Sequence, residues 1–293
     1  MTASMLRLVG IALISLTLGM PLLQAQPNTT SNSTLTESGN QTQRIPRDNF
    51  YDRYLHTEAQ VLPYDHIHEK DVFWEKRIWR LIDTRELRNH IFRYEKAPFL
   101  DILLNAGIEG DLTLYGMIDD EFSRPLTPQE VEGIKYSEDT ITIWNPDTFQ
   151  DSLVVVRNEL NWEDVKKYRI KEVYFFDEET STMDVRILGI APIIERMDDN
   201  GNFLNEGPLF WLYYPEARGL LATHEVFNPH NDAARMSWED VFEARLFDGY
   251  ITKANNLYDR RIKDYKNDPM GILLESDRIQ ESIFNFEHDL WSY

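Results

Sequence analysis

Between Phe227 and Arg245 the chain reads FNPHNDAARMSWEDVFEAR, which sets a histidine, asparagines, carboxylates and two arginines within nineteen residues. Proton carriers and charged partners this close in sequence would suit acid–base or metal chemistry. The stretch lacks the companions that either chemistry needs. No G-x-S-x-G or H-E-x-x-H pattern accompanies it, and His224 and His230 stand six residues apart across Pro229, which is no recognised ligand spacing. Asn228–Pro229 and His230–Asn231–Asp232 have instead the chemistry of a tight turn, because Asx side chains bond their own backbone and proline fixes φ. The expectation is a structural turn with no catalytic or metal role.

A second cluster, His66, His68 and Glu69, precedes the first long apolar segment. H-x-H directs both imidazoles to one side only if the backbone is extended, and no third ligand is evident, so a solvated loop is the favoured reading over a metal site. Trp211, Tyr213 and Tyr214 make an aromatic strand, which either covers a core or presents an exposed anchor; the core alternative is favoured. Together with His230, Asn231, Asp232 and Trp291 these three form the set of candidate partner-interface residues. Ile279, Ile283, Phe286 and Leu290 recur at helical spacing near the C-terminus and fit a docking helix, although core packing explains them as well.

The elements that must position these residues fall into three stretches. From Trp74 the apolar Ile78, Leu81 and Ile82 follow at helical spacing behind Asp71, a candidate N-cap, which predicts an amphipathic helix. In the middle of the chain the period changes. Residues Leu112 to Ile118, then TITIW, LVVV, IKEVYFF, MDVRILGIAPII and LFWLYY, read as strands. Short polar connections such as DEETST and MDDNGN, the latter with an Asn200–Gly201 turn, predict hairpins and a mostly antiparallel sheet, because parallel strands need long crossovers. After Tyr214 the chain turns helical. Pro215 suits the first turn of a short helix over EARGLLA. Ser237 and Asp240 form a capping box, with Trp238, Phe242, Leu246 and Tyr250 at every fourth residue behind it, which predicts a helix to about Asn255. The expected fold class is α+β, a central mostly antiparallel sheet flanked by N-terminal and C-terminal amphipathic helices.

Composition bounds the function. The 293 residues carry 42% hydrophobic and 12% aromatic content, enough for a substantial core. A balance of 30 Lys+Arg against 50 Asp+Glu gives a net charge of −20, which argues against nucleic acid or anionic lipid as a main partner. At the N-terminus, Arg7 precedes the apolar run LVGIALISLTLGMPLL, with Gln24 and Ala25 behind it, the zones of a secretory signal spanning residues 1–25. Residues 26–48 are almost all Ser, Thr, Asn and Gln, too poor in apolar groups to offset the entropy of ordering, and are expected to form a flexible leader. Residues 49–293 then form a single domain. Cysteine is absent, so neither a disulfide nor a thiol-linked lipid anchor is available, and an exported chain of this kind would reach a membrane only through a partner.

Several segments resemble one known family. HEVFNPHNDAARMSWEDVFEARLFDGYITKANNLYDRRIKDY, the upstream YYPEARGLLATHEVF, the early VFWEKRIWRLIDTREL and the closing LLESDRIQESIFNFEHDLWSY are similar to the gliding-motility protein GldN, called PorN in non-gliding relatives, over about Phe50 to Tyr293. The resemblance implies a periplasmic component of the type IX secretion system. It implies association with an outer-membrane lipoprotein, GldK or PorK, in a large ring on the periplasmic face of that membrane, with self-association around the ring. The motor proteins GldL and GldM, or PorL and PorM, are the ring's implied link to the inner membrane. No cofactor and no catalytic residues are carried over. Two rival readings stand in other classes: a periplasmic glycan- or peptide-cleaving enzyme, which needs a pair of convergent carboxylates, and a monomeric module that binds exported cargo.

Overall fold

The structure, a computed structural model, describes residues 61–291 apart from 119, 146–149, 198–201, 230 and 232. All of these belong to the compact unit Arg53–Tyr293. The expected signal segment, the polar leader, the Asn200–Gly201 turn, His230 and Asp232 lie outside the described residues.

The fold is α+β around one seven-stranded sheet, and every strand pairing among the described residues is antiparallel. Its backbone is the hairpin of β5 (Val165–Asp177) and β6 (Thr182–Met197), turned through Glu178–Ser181, with Ser181 at φ 55. Strand β1 (Val72–Asp83) lies beside β5, and β11 (Tyr250–Ala254) closes the edge beyond β1. On the other side, β6 pairs with β8 (Trp211–Tyr213), which pairs with β2 (Leu114–Tyr115), while β7 (Phe203–Pro208) runs along the far half of β6.

Where the spacing behind Asp71 predicts a helix with Arg80, Arg85 and Arg88 in its C-terminal half, the structure has strand β1 over Val72–Asp83. Ile78 to Ile82 are buried without a break, because the strand sits between β11 and β5 with both faces covered. A doubly covered strand shows no clean alternation, and apolar groups at 74, 78, 81 and 82 then imitate a helical period. Its Val, Ile, Phe and Trp residues fit a pleated sheet better than a helix.

The helices pack mainly on the sheet face carrying Ile82, Tyr168 and Ile170. Helix α1 (Phe99–Glu109), α3 (Tyr214–Thr223) and α4 (Trp238–Glu243) enclose a core in which Phe92, Phe99, Tyr168, Trp238 and Phe242 meet ring to ring. Such pairs add about 0.5–1.5 kcal/mol each beyond area burial. Helix α1 ends where Gly110 takes φ 85, a left-handed C-cap that glycine adopts without steric cost. Helix α2 (Pro128–Lys135) starts on a capping box between Thr127 and Glu130. Pro215 falls in the first turn of α3, as its missing N–H predicts.

The Ser237 capping box also forms: Ser237 Oγ accepts from the Asp240 amide at 3.1 Å, and Asp240 Oδ2 accepts from the Ser237 amide at 2.8 Å. The helix behind it is shorter than expected. It stops at Glu243, Arg245 takes the left-handed φ of 52, and the chain re-enters the sheet at Tyr250 as β11. Arg245 and Leu246 return their amides to Phe242 and Val241, which closes the helix end. The chain then runs extended through Asp248, whose side chain accepts from the Gly249 amide at 2.9 Å, into β11.

The C-terminal helix α5 (Pro269–Trp291) lies against β11 and β1. Ile283 is buried with Ile78, Ile251 and Ile262, and Phe286 stacks on Trp74 with ring centroids 4.5 Å apart.

Candidate interaction surfaces

The FNPHNDAARMS segment joins two short strands, β9 (Glu225–Val226) and β10 (Met236–Ser237), which pair antiparallel. Asn231 Oδ1 accepts from the Ala233 amide at 3.0 Å, and Asn228 Nδ2 donates to the Ala234 carbonyl at 2.9 Å. Its asparagines are therefore engaged in closing a ribbon turn, as their chemistry predicts. Asn231 is exposed.

The aromatic strand divides. Trp211 and Tyr214 are core residues, 2% and 0% exposed, so as the chain stands neither offers a surface to a partner. Trp211 packs with Trp79 and Ala191 on the sheet face opposite the main core, and Tyr214 donates to Glu243 Oε1 at 3.1 Å. Tyr213 is half-buried and meets Phe122 edge-on, with centroids 5.2 Å apart. Trp291 is the last residue of α5. His66 and His68 contact each other edge to face at 4.8 Å, and no group of three or more potential metal ligands converges among the described residues.

Sheet charges are tied into networks. Glu172, fully buried on β5, accepts from Arg245 Nη2 at 2.6 Å and Arg80 Nε at 3.4 Å, and Arg80 Nη1 also donates to the Gly249 carbonyl at 2.9 Å. On α3, Arg218 donates to Glu239 at 2.7 Å and to the Leu62 carbonyl at 2.9 Å, and its guanidinium lies 4.0 Å from the centre of the Tyr64 ring. Tyr64 in turn donates to Glu243 at 2.5 Å, and Arg186 donates to the Asp65 carbonyl at 2.9 Å. Residues 62–65 are thereby strapped across the domain. Burial, then the hydrogen bond to Glu243, pushes the Tyr64 hydroxyl far above its usual value, so it stays a donor.

Among the acids, Asp101 and Glu86 are raised above the usual carboxylate range, each chiefly by burial. Asp101 lies in the first turn of α1, where Glu159 adds to its rise, and Glu86 follows β1, where Asp248 and Asp83 add to its rise. The domain has cavities of about 170 Å³, between α5 and Arg80, Tyr174 and Ile251, and about 120 Å³, over Leu81, Arg169 and Tyr250. Both are below the ~300–1,000 Å³ of small-molecule sites.

Two surfaces stand out, one by its exposed apolar side chains and one by its isolation from the main sheet. Helix α5 exposes Met270, Leu273, Leu274 and Phe284. Strands β3 (Tyr136–Asn145) and β4 (Gln150–Glu159) pair with each other and with no other described strand, over ten residue pairs with Ile141 opposite Val154. At about 3.4 Å per residue such a ribbon reaches roughly 30 Å.

These features define a mixed α+β domain built on a seven-stranded antiparallel sheet, with several charges paired across its elements. The family model described as "Gliding motility associated protein GldN" matches residues 67–292, about three quarters of the chain, and the chain belongs to that family. It is a family of gliding-motility and secretion components and not a recognised enzyme family. No curated protein matches the chain.

Proposed function

We propose that this chain is a structural subunit of the type IX secretion and gliding machinery that works in the periplasm, held at the outer membrane in a ring with a lipoprotein of the GldK or PorK type. Family membership across nearly the whole described domain is the observation that carries this reading. The Arg7 to Ala25 segment supports export of the chain, and the lack of cysteine supports dependence on a separate anchored partner. Among the described residues no helix is long and apolar enough to cross a membrane. A ring subunit needs two unlike faces, and the α5 surface and the β3–β4 ribbon supply candidates on different elements. The ribbon is a natural donor, since an isolated two-stranded ribbon is marginal unless it packs on something. GldL and GldM, or PorL and PorM, are proposed as further contacts of the assembled ring.

The test is fractionation of a strain lacking the chromosomal copy and complemented with the full chain, with and without the lipoprotein. The chain should begin at Gln26, sediment with outer membranes at high mass only when the lipoprotein is present, and restore type IX export. A soluble monomer that restores export without the lipoprotein would favour the cargo-binding reading. A single carboxylate-to-amide change that stops export in a folded, assembled protein would favour the enzyme.

A further inference from the structure

Strand β5 begins VKKYRIK, and its alternation sends Lys167, Arg169 and Lys171 to the sheet face opposite Tyr168 and Ile170. Each meets a different fate. Lys167 donates to Glu206 at 2.7 Å, and Lys171 donates to the Asp120 carbonyl at 2.6 Å. The Arg169 side chain makes no hydrogen bond or ion pair with any described residue. Its position is nevertheless enclosed: the register sets Leu81 beside Arg169 on one side and beside Tyr250 on the other, so the three share one row across β5, β1 and β11. The segment after β11 then wraps over that row and adds Arg261, Lys263 and Ile272 to the lining of the 120 Å³ cavity, with Thr252 and Glu206 completing it.

This is an unusual local balance for a chain of net charge −20. Three cations, Arg169, Arg261 and Lys263, line one small cavity against a single carboxylate, and that carboxylate is already hydrogen-bonded to Lys167. Lys263 likewise makes no ion pair or hydrogen bond with its side chain to any described residue. Burial, and after it the like charge of Arg261, pushes the Arg169 guanidinium below its usual value, although it stays protonated. Two like charges held together with unfilled donors are destabilising unless something negative sits between them.

The geometry points to an oxyanion-binding site here, in which Arg169, Arg261 and Lys263 hold one phosphate- or carboxylate-sized group at the rim of β11, with the Tyr250 hydroxyl as a further donor. A guanidinium presents a planar fork that matches such oxygens, and Lys263 adds a mobile point charge from the solvent side. The volume admits a single group and excludes a nucleotide. The oxyanion has two possible sources, a free inorganic anion or the side-chain carboxylate of an acidic peptide. The inference rests on these residues alone and stands or falls separately from the ring assembly.

The test uses the purified mature chain at fixed ionic strength, with sodium phosphate and an acetylated, amidated tetraglutamate peptide titrated against matched chloride. The melting temperature should rise saturably with phosphate, with the peptide, or with both; which one acts identifies the source. Arg169→Met should abolish the rise while leaving the melting temperature in chloride unchanged or higher, because a frustrated charge has been removed. Lys263→Gln, an exposed change that does not threaten folding, should weaken binding by about tenfold, the equivalent of one charge-assisted contact. Phosphate and peptide that act no better than chloride would overturn the site, as would an undiminished response in Lys263→Gln and Arg169→Met.

Discussion

Arg245 Nη2 donates to Glu172 Oε1 at 2.6 Å, and the arginine does so from a left-handed backbone, φ 52, two residues past Glu243, the last residue of α4. A glycine would occupy that position at less conformational cost. The ion pair explains why an arginine stands there: Glu172 is fully buried, and among the described residues Arg80 and Arg245 pair with its charge.

Glu172→Gln should therefore cost about 3–5 kcal/mol, since it leaves two guanidinium groups without their buried counter-charge. Arg245→Gly should also destabilise, even though it relieves the strained φ. Urea unfolding reads both. An Arg245→Gly variant as stable as the parent would mean that the backbone term outweighs the ion pair.

The start of α4 gives a graded pair. Ser237→Ala removes the acceptor for the Asp240 amide and should cost about 1 kcal/mol. Trp238→Ala empties a site that is 1% exposed among Phe92, Phe99 and Phe242 and should cost about 3–5 kcal/mol. Equal losses in chemical denaturation would contradict the packing described.

Two glycines make close approaches of different kinds. A Cβ on Gly249 would lie 2.5 Å from the Leu81 carbonyl oxygen, and one on Gly189 would lie 2.5 Å from Phe122 Cζ. Backbone in a paired strand cannot move aside, whereas an aromatic side chain can swing. Gly249→Ala should lower the melting temperature more than Gly189→Ala, with overpacking costs of about 1–3 kcal/mol as the scale. The reverse order would count against the β1–β11 junction.

Burial holds the His224 imidazole below its usual 6.5, with Glu109 acting weakly in the opposite sense. The unfolded chain thus binds this proton first. Above pH 6.5 the residue contributes nothing to the pH dependence, and as pH falls through 6.5 towards the lower folded value its contribution reduces stability. Raised acids such as Asp101 slope the other way at lower pH, so the comparison is with His224→Phe. The variant should lose less stability than the parent between pH 7 and 5.5; parallel curves would refute the assignment.

Sequence periodicity reached the antiparallel middle of the chain because those strands join through short polar turns and carry β-branched runs. It failed at 72–83 because β1, covered on both faces between Ile78 and Ile82, loses the alternation by which strands are recognised, and at 244–254 because Leu246 and Tyr250 continue the four-residue spacing of Trp238 and Phe242 past the helix end at Glu243. Helices α1 and α2 carry their signals in the sequence, Gly110 after FLDILLNAGIE and the Thr127–Glu130 box. The turn at Asn228–Asn231 was legible from its Asx chemistry. Which of Trp211, Tyr213 and Tyr214 faces outward was not, because neighbours such as Phe122 come from distant segments. The cations at 167, 169 and 171 show their common face only once β5 is known to be a strand, and Arg261 joins them only through the wrap after β11.

The pairing of Leu81 with Tyr250 joins residues 169 positions apart. As the chain emerges from its N-terminal end, β5 can cover one side of β1 after some ninety residues, but the opposite edge stays bare until the last fifth of the sequence arrives. The stretch that β11 covers, Ile78 to Leu81, includes Trp79, and a bare apolar edge of this kind is a template for unwanted pairing with other chains. Loop closure over such separations also slows folding. The protein thus passes through a long vulnerable interval in which a truncated or stalled chain would aggregate, and β11 with its Asp248–Gly249 lead-in works as the clasp that ends it.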